Sequence, residues 1–239
     1  MGHPHFLLLR TTVPMTWVKI CGMTNLEDAL TAVEAGADAV GFVFYEKSPR
    51  NISVEAAREI VGKLPHRVEK VGVFVEADSV GIREIVSRAG LTAVQLHGKR
   101  SIDSVVGDRR SPLESVAVPK VIVRIPGESL KNGGIFMGIE LLAKAFAVIL
   151  DSRSNGVEGG TGSTFDWEAA RGMAQLLNLQ IPVIVAGGLT PKNVNEAMDT
   201  FQPWGVDVVS GVEARPGKKD PGKVRAFVNA VREIDRRTG

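Results

Sequence analysis

Two side chains could carry proton transfer, and each lies at the end of a short apolar run. Cys21 ends the run that begins at Trp17, and Asp151 ends the run that begins at Phe146. A thiol has an ordinary pKa of about 8.5, so a modest decrease makes it a base or nucleophile at neutral pH. A carboxyl group whose pKa is raised by partial burial can donate a proton. The two residues therefore predict a base and an acid from distant parts of the chain.

A structural interpretation stands beside each of these roles. A lone cysteine is often a small buried hydrophobe, and an aspartate after a strand often caps a helix or holds a loop. Lys19 has the same parity as Cys21, so both side chains should lie on one face of a strand, where the ammonium group would favour the thiolate. Lys19 would instead be structural if it pairs with Asp207 of an adjoining last strand.

Arg50 and His97 are candidate ligand-binding residues. Arg50 follows the second apolar run, and its planar guanidinium could hold a carboxylate or be a surface charge. His97 ends the fourth run, where its ring could orient a ligand or be satisfied by backbone groups.

Glycine-containing turns follow the last two apolar runs, at Gly187-Gly188 and at Ser210-Gly211. Glycine lets backbone N–H groups approach an anion that a side chain would block, so the pair of turns predicts a phosphate site. The glycine-rich segment from Gly156 to Ser163 either closes over a ligand or is a plain connection.

Eight short apolar, β-branched runs alternate with helical patterns and predict the strands that position these residues. The predicted strands are Trp17–Cys21, Ala39–Phe44, Val68–Val75, Ala93–His97, Lys120–Ile125, Phe146–Asp151, Pro182–Ala186 and Val206–Ser210. Thr24 and Glu27 form a capping-box pattern, which predicts a helix that begins there and ends before Gly36. Thr190 with Pro191 predicts the N-cap and first residue of another helix, and Asp166 predicts a further N-cap. The segment from Lys99 to Lys131 is the most weakly patterned part of the chain.

These elements favour an α/β fold with a single closed (β/α)8 barrel. Parallel strands need crossover connections, and eight such units approach the ~250 residues typical of this barrel. An open doubly wound sheet is the alternative, but the first strand is followed by Gly22-Met23-Thr24 rather than by the G-x-G-x-x-G pattern. In the barrel, the active site lies at the C-terminal strand ends, where all the candidate residues fall.

Composition excludes several other classes of protein. The 239 residues include 29 Lys+Arg and 27 Asp+Glu, and a net charge of +2 gives no basis for nucleic-acid binding. The single cysteine cannot form an internal disulfide or a multi-cysteine metal site, and it is typical of a reducing compartment. No apolar run approaches the roughly 18–20 residues that span a bilayer. We therefore expect a cytoplasmic protein without membrane contact, with residues 1–15 as an extension and 16–239 as one catalytic domain.

Several motifs recur in a defined order along the chain. They are Val18-Lys19-Ile20-Cys21-Gly22-Met23-Thr24, Gly41-Phe42-Val43-Phe44 through Ser48-Pro49-Arg50, Val94-Gln95-Leu96-His97-Gly98, Leu150-Asp151, Gly159-Gly160-Thr161-Gly162 through Phe165-Asp166-Trp167, Ala186-Gly187-Gly188-Leu189, and Val206-Asp207 through Ser210-Gly211-Val212-Glu213. As an ordered set from about Trp17 onward, they resemble the phosphoribosylanthranilate isomerase family of tryptophan biosynthesis.

The resemblance implies a (β/α)8 barrel that catalyses an Amadori rearrangement of a phosphosugar substrate without cofactor or metal. By position, Cys21 would be the general base and Asp151 the general acid. Arg50 would meet the anthranilate carboxylate, and the turns at Gly187-Gly188 and Ser210-Gly211 would hold the phosphate. Both a monomer and a homodimer are compatible with the sequence.

The sequence departs from the family at Lys99-Arg100, where an acidic residue is frequent, and at Ser163, where a basic one is common. Three alternative functions remain for comparison. A histidine-pathway aminoaldose isomerase, or a bifunctional enzyme serving both pathways, would have phosphate loops in both halves and two catalytic aspartates. The cysteine on the first strand and the glycine turns in the C-terminal half alone argue against both. A Schiff-base aldolase would need an unpaired inward lysine, for which Lys19 is the candidate. A non-catalytic phosphosugar-binding barrel would keep the glycine turns but lose the base or the acid.

Overall fold

Runs rich in valine, isoleucine and alanine form eight parallel strands that close into a barrel. The structure is a computed structural model and describes residues 15–97, 120–126, 144–151 and 167–238. The barrel strands are β1 (Trp17–Cys21), β2 (Ala39–Phe44), β3 (Glu69–Phe74), β4 (Ala93–Leu96), β5 (Lys120–Pro126), β6 (Ala147–Asp151), β7 (Val183–Ala186) and β8 (Gly205–Val208). They are hydrogen-bonded in chain order, and β8 pairs with β1. The predicted (β/α)8 barrel is confirmed, and each predicted strand differs from the observed one by at most two residues at an end.

Helices cover the outside of the barrel. Those in the described residues are α1 (Leu26–Glu34), α2 (Val54–Val61), α3 (Ser79–Ala89), α4 (Trp167–Asn178), α5 (Val194–Phe201) and α6 (Pro221–Thr238). None of these helices is long and apolar enough to span a membrane. Residues 1–14 of the predicted extension, the segment 156–163, Asp166 and most of the segment 99–131 lie outside the described residues.

Two predicted helix starts are wrong, one by a single residue and the other by three residues. The side chain of Asn25, not Thr24, caps α1 by accepting a hydrogen bond from the Asp28 amide. Thr24 is displaced from this role because its hydroxyl donates to the Gly217 carbonyl, 2.5 Å away. Thr190 opens a turn in which its amide donates to Asn193 Oδ1, and α5 begins only at Val194.

Side-chain alternation along the strands separates two apolar layers. Val18 and Ile20 of β1 belong to the large cluster between barrel and helices, as their parity predicts. A smaller cluster fills the barrel interior and is rich in alanine and isoleucine, with Ala39, Ile122 and Ile149 among its members. At the N-terminal end of the strands Trp17 stacks on Trp204 at 5.2 Å between ring centroids. The interior is therefore packed at this end, and the space that remains lies at the opposite end.

A short hairpin follows β8 and links the end of the barrel to its beginning. A one-turn 3-10 helix (Ser210–Val212) leads into two antiparallel strands, β9 (Glu213–Arg215) and β10 (Lys218–Lys219). The Lys219 amide donates to Asp28 Oδ2 at 2.7 Å, and Lys218 Nζ donates to Asp28 Oδ1 at 2.7 Å. Asp28 lies in the first turn of α1, so the hairpin is fixed against the loop that follows β1.

Candidate active site

A cavity of about 380 Å³ lies at the C-terminal ends of the strands. The described residues that line it are Cys21, Val43, Tyr45, Ser48, Arg50, Val73, Val75, Gln95, His97, Arg124, Ile149, Asp151, Ala186, Gly187, Gly188, Leu189, Asp207, Val208 and Val209. Six of the eight predicted site residues are in this set. The other two, Ser210 and Gly211, lie on the 3-10 turn directly after Val209 rather than on the cavity wall.

Cys21 ends β1 with its side chain inside the barrel, where it is 4% exposed. Burial raises the pKa of the thiol, because the thiolate would lose its hydration, and the nearby Lys19 ammonium only partly opposes this effect. The expected decrease in the thiol pKa is therefore wrong. The main reason is burial, which outweighs the effect of the Lys19 ammonium on the thiol pKa, and the Asp207 carboxylate adds to the increase.

Lys19 and Asp207 form a buried ion pair beneath the cavity. Lys19 Nζ lies 2.9 Å from Asp207 Oδ1, and the lysine side chain is fully buried. Burial alone would lower the pKa of Lys19. The pairing with Asp207 and the proximity of Cys21 nevertheless hold this pKa above its usual value. Lys19 is therefore a protonated structural residue, as predicted for the case in which β1 and β8 adjoin. A Schiff-base role for this lysine has no support.

Asp151 ends β6 and is ion-paired with Arg124, whose Nε lies 2.9 Å from Asp151 Oδ2. Both side chains are less than one-fifth exposed. Arg124 is a site residue that the sequence analysis missed, because it assigned no function to the segment 99–131. Strand parity provides a signal, since Ile122 belongs to the cluster inside the barrel and Arg124 is two residues further on the same face.

His97 follows β4 and lines the cavity beside Gln95. The two side chains meet at 2.9 Å between Gln95 Nε2 and His97 Nε2. Burial and the charge of Arg124 lower the pKa of His97 to about 4, which keeps the ring neutral at physiological pH. Gln95 Oε1 is buried and has no hydrogen-bond partner within the part of the chain that the structure describes.

Arg50 lies after β2 and forms a two-point ion pair with Glu213 of β9. The distances are 2.8 Å from Nε to Oε1 and 2.6 Å from Nη2 to Oε2. Lys219 Nζ lies 3.2 Å from the same carboxylate. Burial alone would raise the pKa of Glu213, but these two cations lower it. Glu213 and Lys219 are further site residues for which the sequence analysis predicted no role.

The turn after β7 brings main-chain groups to the cavity wall. Gly187 and Gly188 have φ angles of 89° and 69°, a left-handed conformation that glycine adopts without strain. Gly211 permits close approach of the two last turns, because a Cβ at this position would lie 1.8 Å from the Leu189 carbonyl oxygen. The two predicted phosphate-binding turns are therefore in direct contact, although only the first lines the cavity. Among the described residues, no three His, Cys, Asp or Glu side chains are grouped so that they could hold a metal ion.

Comparison with known proteins agrees with this geometry. Residues 18–230 match the family described as N-(5'phosphoribosyl)anthranilate (PRA) isomerase. The N-(5'-phosphoribosyl)anthranilate isomerase of Geotalea uraniireducens is 44% identical over 220 residues, which cover 92% of this chain and 100% of the relative. The phosphoribosyl anthranilate isomerase structure from Thermotoga maritima has a TM-score of 0.77 and 39% identity, and it covers 92% of this chain and 100% of that one.

A further solved structure is a phosphoribosyl anthranilate isomerase in complex with reduced 1-(o-carboxyphenylamino)-1-deoxyribulose 5-phosphate. It has a TM-score of 0.74 and 38% identity, covering 92% of this chain and 100% of that chain. The family match spans most of the chain, and the identity to these relatives extends over nine-tenths of it. The chain is thus an isomerase that belongs to the N-(5'-phosphoribosyl)anthranilate isomerase family.

Proposed function

We propose that the protein converts N-(5-phosphoribosyl)anthranilate to 1-(2-carboxyphenylamino)-1-deoxyribulose 5-phosphate by an Amadori rearrangement, as a step of tryptophan biosynthesis. One observation carries the proposal. A thiol from β1 and a carboxyl group from β6 line the same cavity, with a glycine turn after β7 and an arginine after β2 on its wall.

Asp151 acts as the general acid and Cys21 as the general base. The protonated Asp151 donates to the ribose ring oxygen as the bond from that oxygen to C1′ breaks, which gives an open-chain Schiff base. The Cys21 thiolate then removes the proton from C2′ and leaves an enolamine, which tautomerises to the ketone. One proton is given and one is taken, so the overall reaction is an isomerisation.

The reaction needs Cys21 as the thiolate and Asp151 as the acid. Burial raises the pKa of the Cys21 thiol, so formation of the thiolate has to precede removal of the C2′ proton. Asp151 is held in place by Arg124, whose Nε lies 2.9 Å from Asp151 Oδ2.

Three sets of groups hold the substrate in position for these steps. Arg50 binds the anthranilate carboxylate, and the turns at Gly187-Gly188 and Ser210-Gly211 bind the phosphate through backbone N–H groups. His97 contacts the sugar, because it lines the same cavity, and its pKa of about 4 keeps the ring neutral there. Fixing both charged ends of the substrate places C1′ and C2′ between the acid and the base.

The direct test mixes purified protein with freshly prepared phosphoribosylanthranilate and follows the loss of substrate fluorescence. We expect rapid, enzyme-dependent decay. Cys21→Ala and Asp151→Asn should each lower turnover by about 10²-fold or more, while the reduced product analogue still binds. Arg88→Ala changes an exposed residue of α3 and is the matched control, with unchanged turnover.

Two results would contradict the proposal. Absence of decay with the unmodified protein would argue against the reaction itself and would direct attention to the histidine-pathway substrate. Near-normal turnover in Cys21→Ala or in Asp151→Asn would leave the reaction in place but remove the corresponding base or acid role.

A further inference from the structure

Arg50, Glu213 and Lys219 form a charged cluster beside the cavity. The side chains of Glu213 and Lys219 are 4% and 0% exposed, whereas Arg50 is 19% exposed and lines the cavity. Two cations thus share one carboxylate, so the cluster has a net positive charge. Only the arginine reaches the substrate side, and the other two residues lie behind it.

The hydrogen-bond pattern leaves one edge of the guanidinium available. Glu213 accepts from Nε and from Nη2, which occupies one edge of the planar group. The second edge, between Nη1 and Nη2, has the geometry to bind another carboxylate at two points. Within the described residues, no other hydrogen bond engages this edge.

The β9–β10 hairpin fixes the position of the two buried residues. Lys219 Nζ also donates to the carbonyl of Val209 at 3.1 Å, and the Lys219 amide is bound to Asp28 at 2.7 Å. A Cβ at Gly217 would lie 3.0 Å from the Pro49 carbonyl oxygen, so the hairpin packs closely against the loop that presents Arg50. The hairpin, the loop and the ion pairs therefore form one continuous support for Arg50.

We propose that Glu213 and Lys219 are positioning residues that orient Arg50, so that its second edge faces the cavity and binds the aromatic carboxylate of the substrate. Glu213 sets the plane of the guanidinium, and Lys219 holds Glu213 and balances its charge. The ligand carboxylate supplies the second anion of the cluster. This inference rests on the proposed function, because it takes the anthranilate carboxylate as the group that Arg50 binds.

The test compares two probes by calorimetry. One is reduced 1-(o-carboxyphenylamino)-1-deoxyribulose 5-phosphate, and the other is the same compound without the ring carboxylate. We expect the unmodified protein to prefer the carboxylated probe by about 10- to 100-fold in Kd, as a two-point charged contact would give. Lys219→Met and Glu213→Gln should each reduce this preference by about tenfold or more, with little change in Kd for the probe that lacks the carboxylate.

The two variants separate orientation from simple attraction. Lys219→Met removes a positive charge, whereas Glu213→Gln removes a negative one, so long-range attraction alone would weaken carboxylate binding in the first and strengthen it in the second. Orientation of Arg50 predicts weaker binding in both. In turnover assays, KM should rise while kcat changes little, because the lost contact is present in both ground state and transition state.

Arg215→Met is the matched control, since it also removes a positive charge from the same hairpin, but Arg215 is exposed and is not part of the charged cluster. It should retain the full carboxylate preference. The inference is overturned if Lys219→Met weakens both probes equally, if it leaves the preference intact, or if Glu213→Gln strengthens carboxylate binding. If the unmodified protein neither binds the carboxylated probe nor turns over phosphoribosylanthranilate, the proposed function itself has failed.

Discussion

Gly41 lies directly across from Cys21 in the pairing of β1 and β2, and it provides the space that the sulfur occupies. A Cβ at residue 41 would lie 2.5 Å from Cys21 Sγ and 3.1 Å from Cys21 Cα. The position of the thiol in the cavity therefore depends on the absence of a side chain on the neighbouring strand.

Gly41→Ala should displace the sulfur and reduce kcat by about 10²-fold, because displacement of a catalytic group by about 1 Å has an effect of that size. It should also lower the Tm. In the Cys21→Ala background the same substitution should lower the Tm less, because the 2.5 Å approach to Sγ is gone while the 3.1 Å approach to the Cα of residue 21 remains. Thermal unfolding of the four proteins measures this coupling, and equal Tm losses in both backgrounds would show that the sulfur is not the obstacle.

Burial of Cys21 should be visible in a pH titration of the thiolate ultraviolet absorbance. The protein has a single cysteine, so the difference between the unmodified protein and Cys21→Ala reports this group alone. Because burial raises the pKa of the thiol, we expect the thiolate to form at higher pH than the ordinary value of about 8.5. A transition at or below that value would contradict this.

Loss of one member of the buried ion pair between Lys19 and Asp207 should destabilise the fold more than loss of both. Asp207→Asn leaves the lysine buried without a counter-ion, which should cost about 3–5 kcal/mol of unfolding free energy. The double variant Lys19→Met with Asp207→Leu removes both charges and should lose much less. Urea unfolding checks this, and a double variant that is no more stable than Asp207→Asn would argue against the electrostatic explanation.

Asp28 should contribute stability that depends on pH. It accepts hydrogen bonds from Asn25, Lys218 and the Lys219 amide. Although burial alone would raise it, these bonds lower the pKa of Asp28 in the folded protein. The stabilisation is therefore fully present above the unfolded-state pKa of about 3.9 and is lost as the pH falls through the lower folded-state value.

Asp28→Asn should therefore lower the unfolding free energy by about 1.5–3 kcal/mol at neutral pH, the range for hydrogen bonds to charged groups, and by less in acid. Glu27→Gln is the control, because Glu27 pairs with the same Lys218 but is 78% exposed. A difference between Asp28→Asn and the unmodified protein that stays constant down to strongly acidic pH would contradict the assignment.

The sequence predicted the elements better than the contacts between them. Strand bounds followed from local runs such as Trp17–Cys21, and the inward face of β1 followed from alternation. The pairing of Arg124 with Asp151 and of Arg50 with Glu213 joins residues separated by 27 and 163 positions, and no local pattern specifies such partners. The thiol pKa was misjudged for the same reason, since its direction depends on burial and on which partner Lys19 selects.

Closure of the barrel also constrains how the chain acquires its structure. The counter-ion of Lys19 is 188 residues downstream, and Arg232 of α6 donates to the carbonyls of Thr16 and Gly36 at separations of 216 and 196 residues. While β8 is still unsynthesised or inside the ribosome, Lys19 on β1 lacks the carboxylate that balances its charge in the folded protein. The barrel can therefore close only after its last strand and helix have been synthesised. Folding that is dominated by such distant contacts is intrinsically slow.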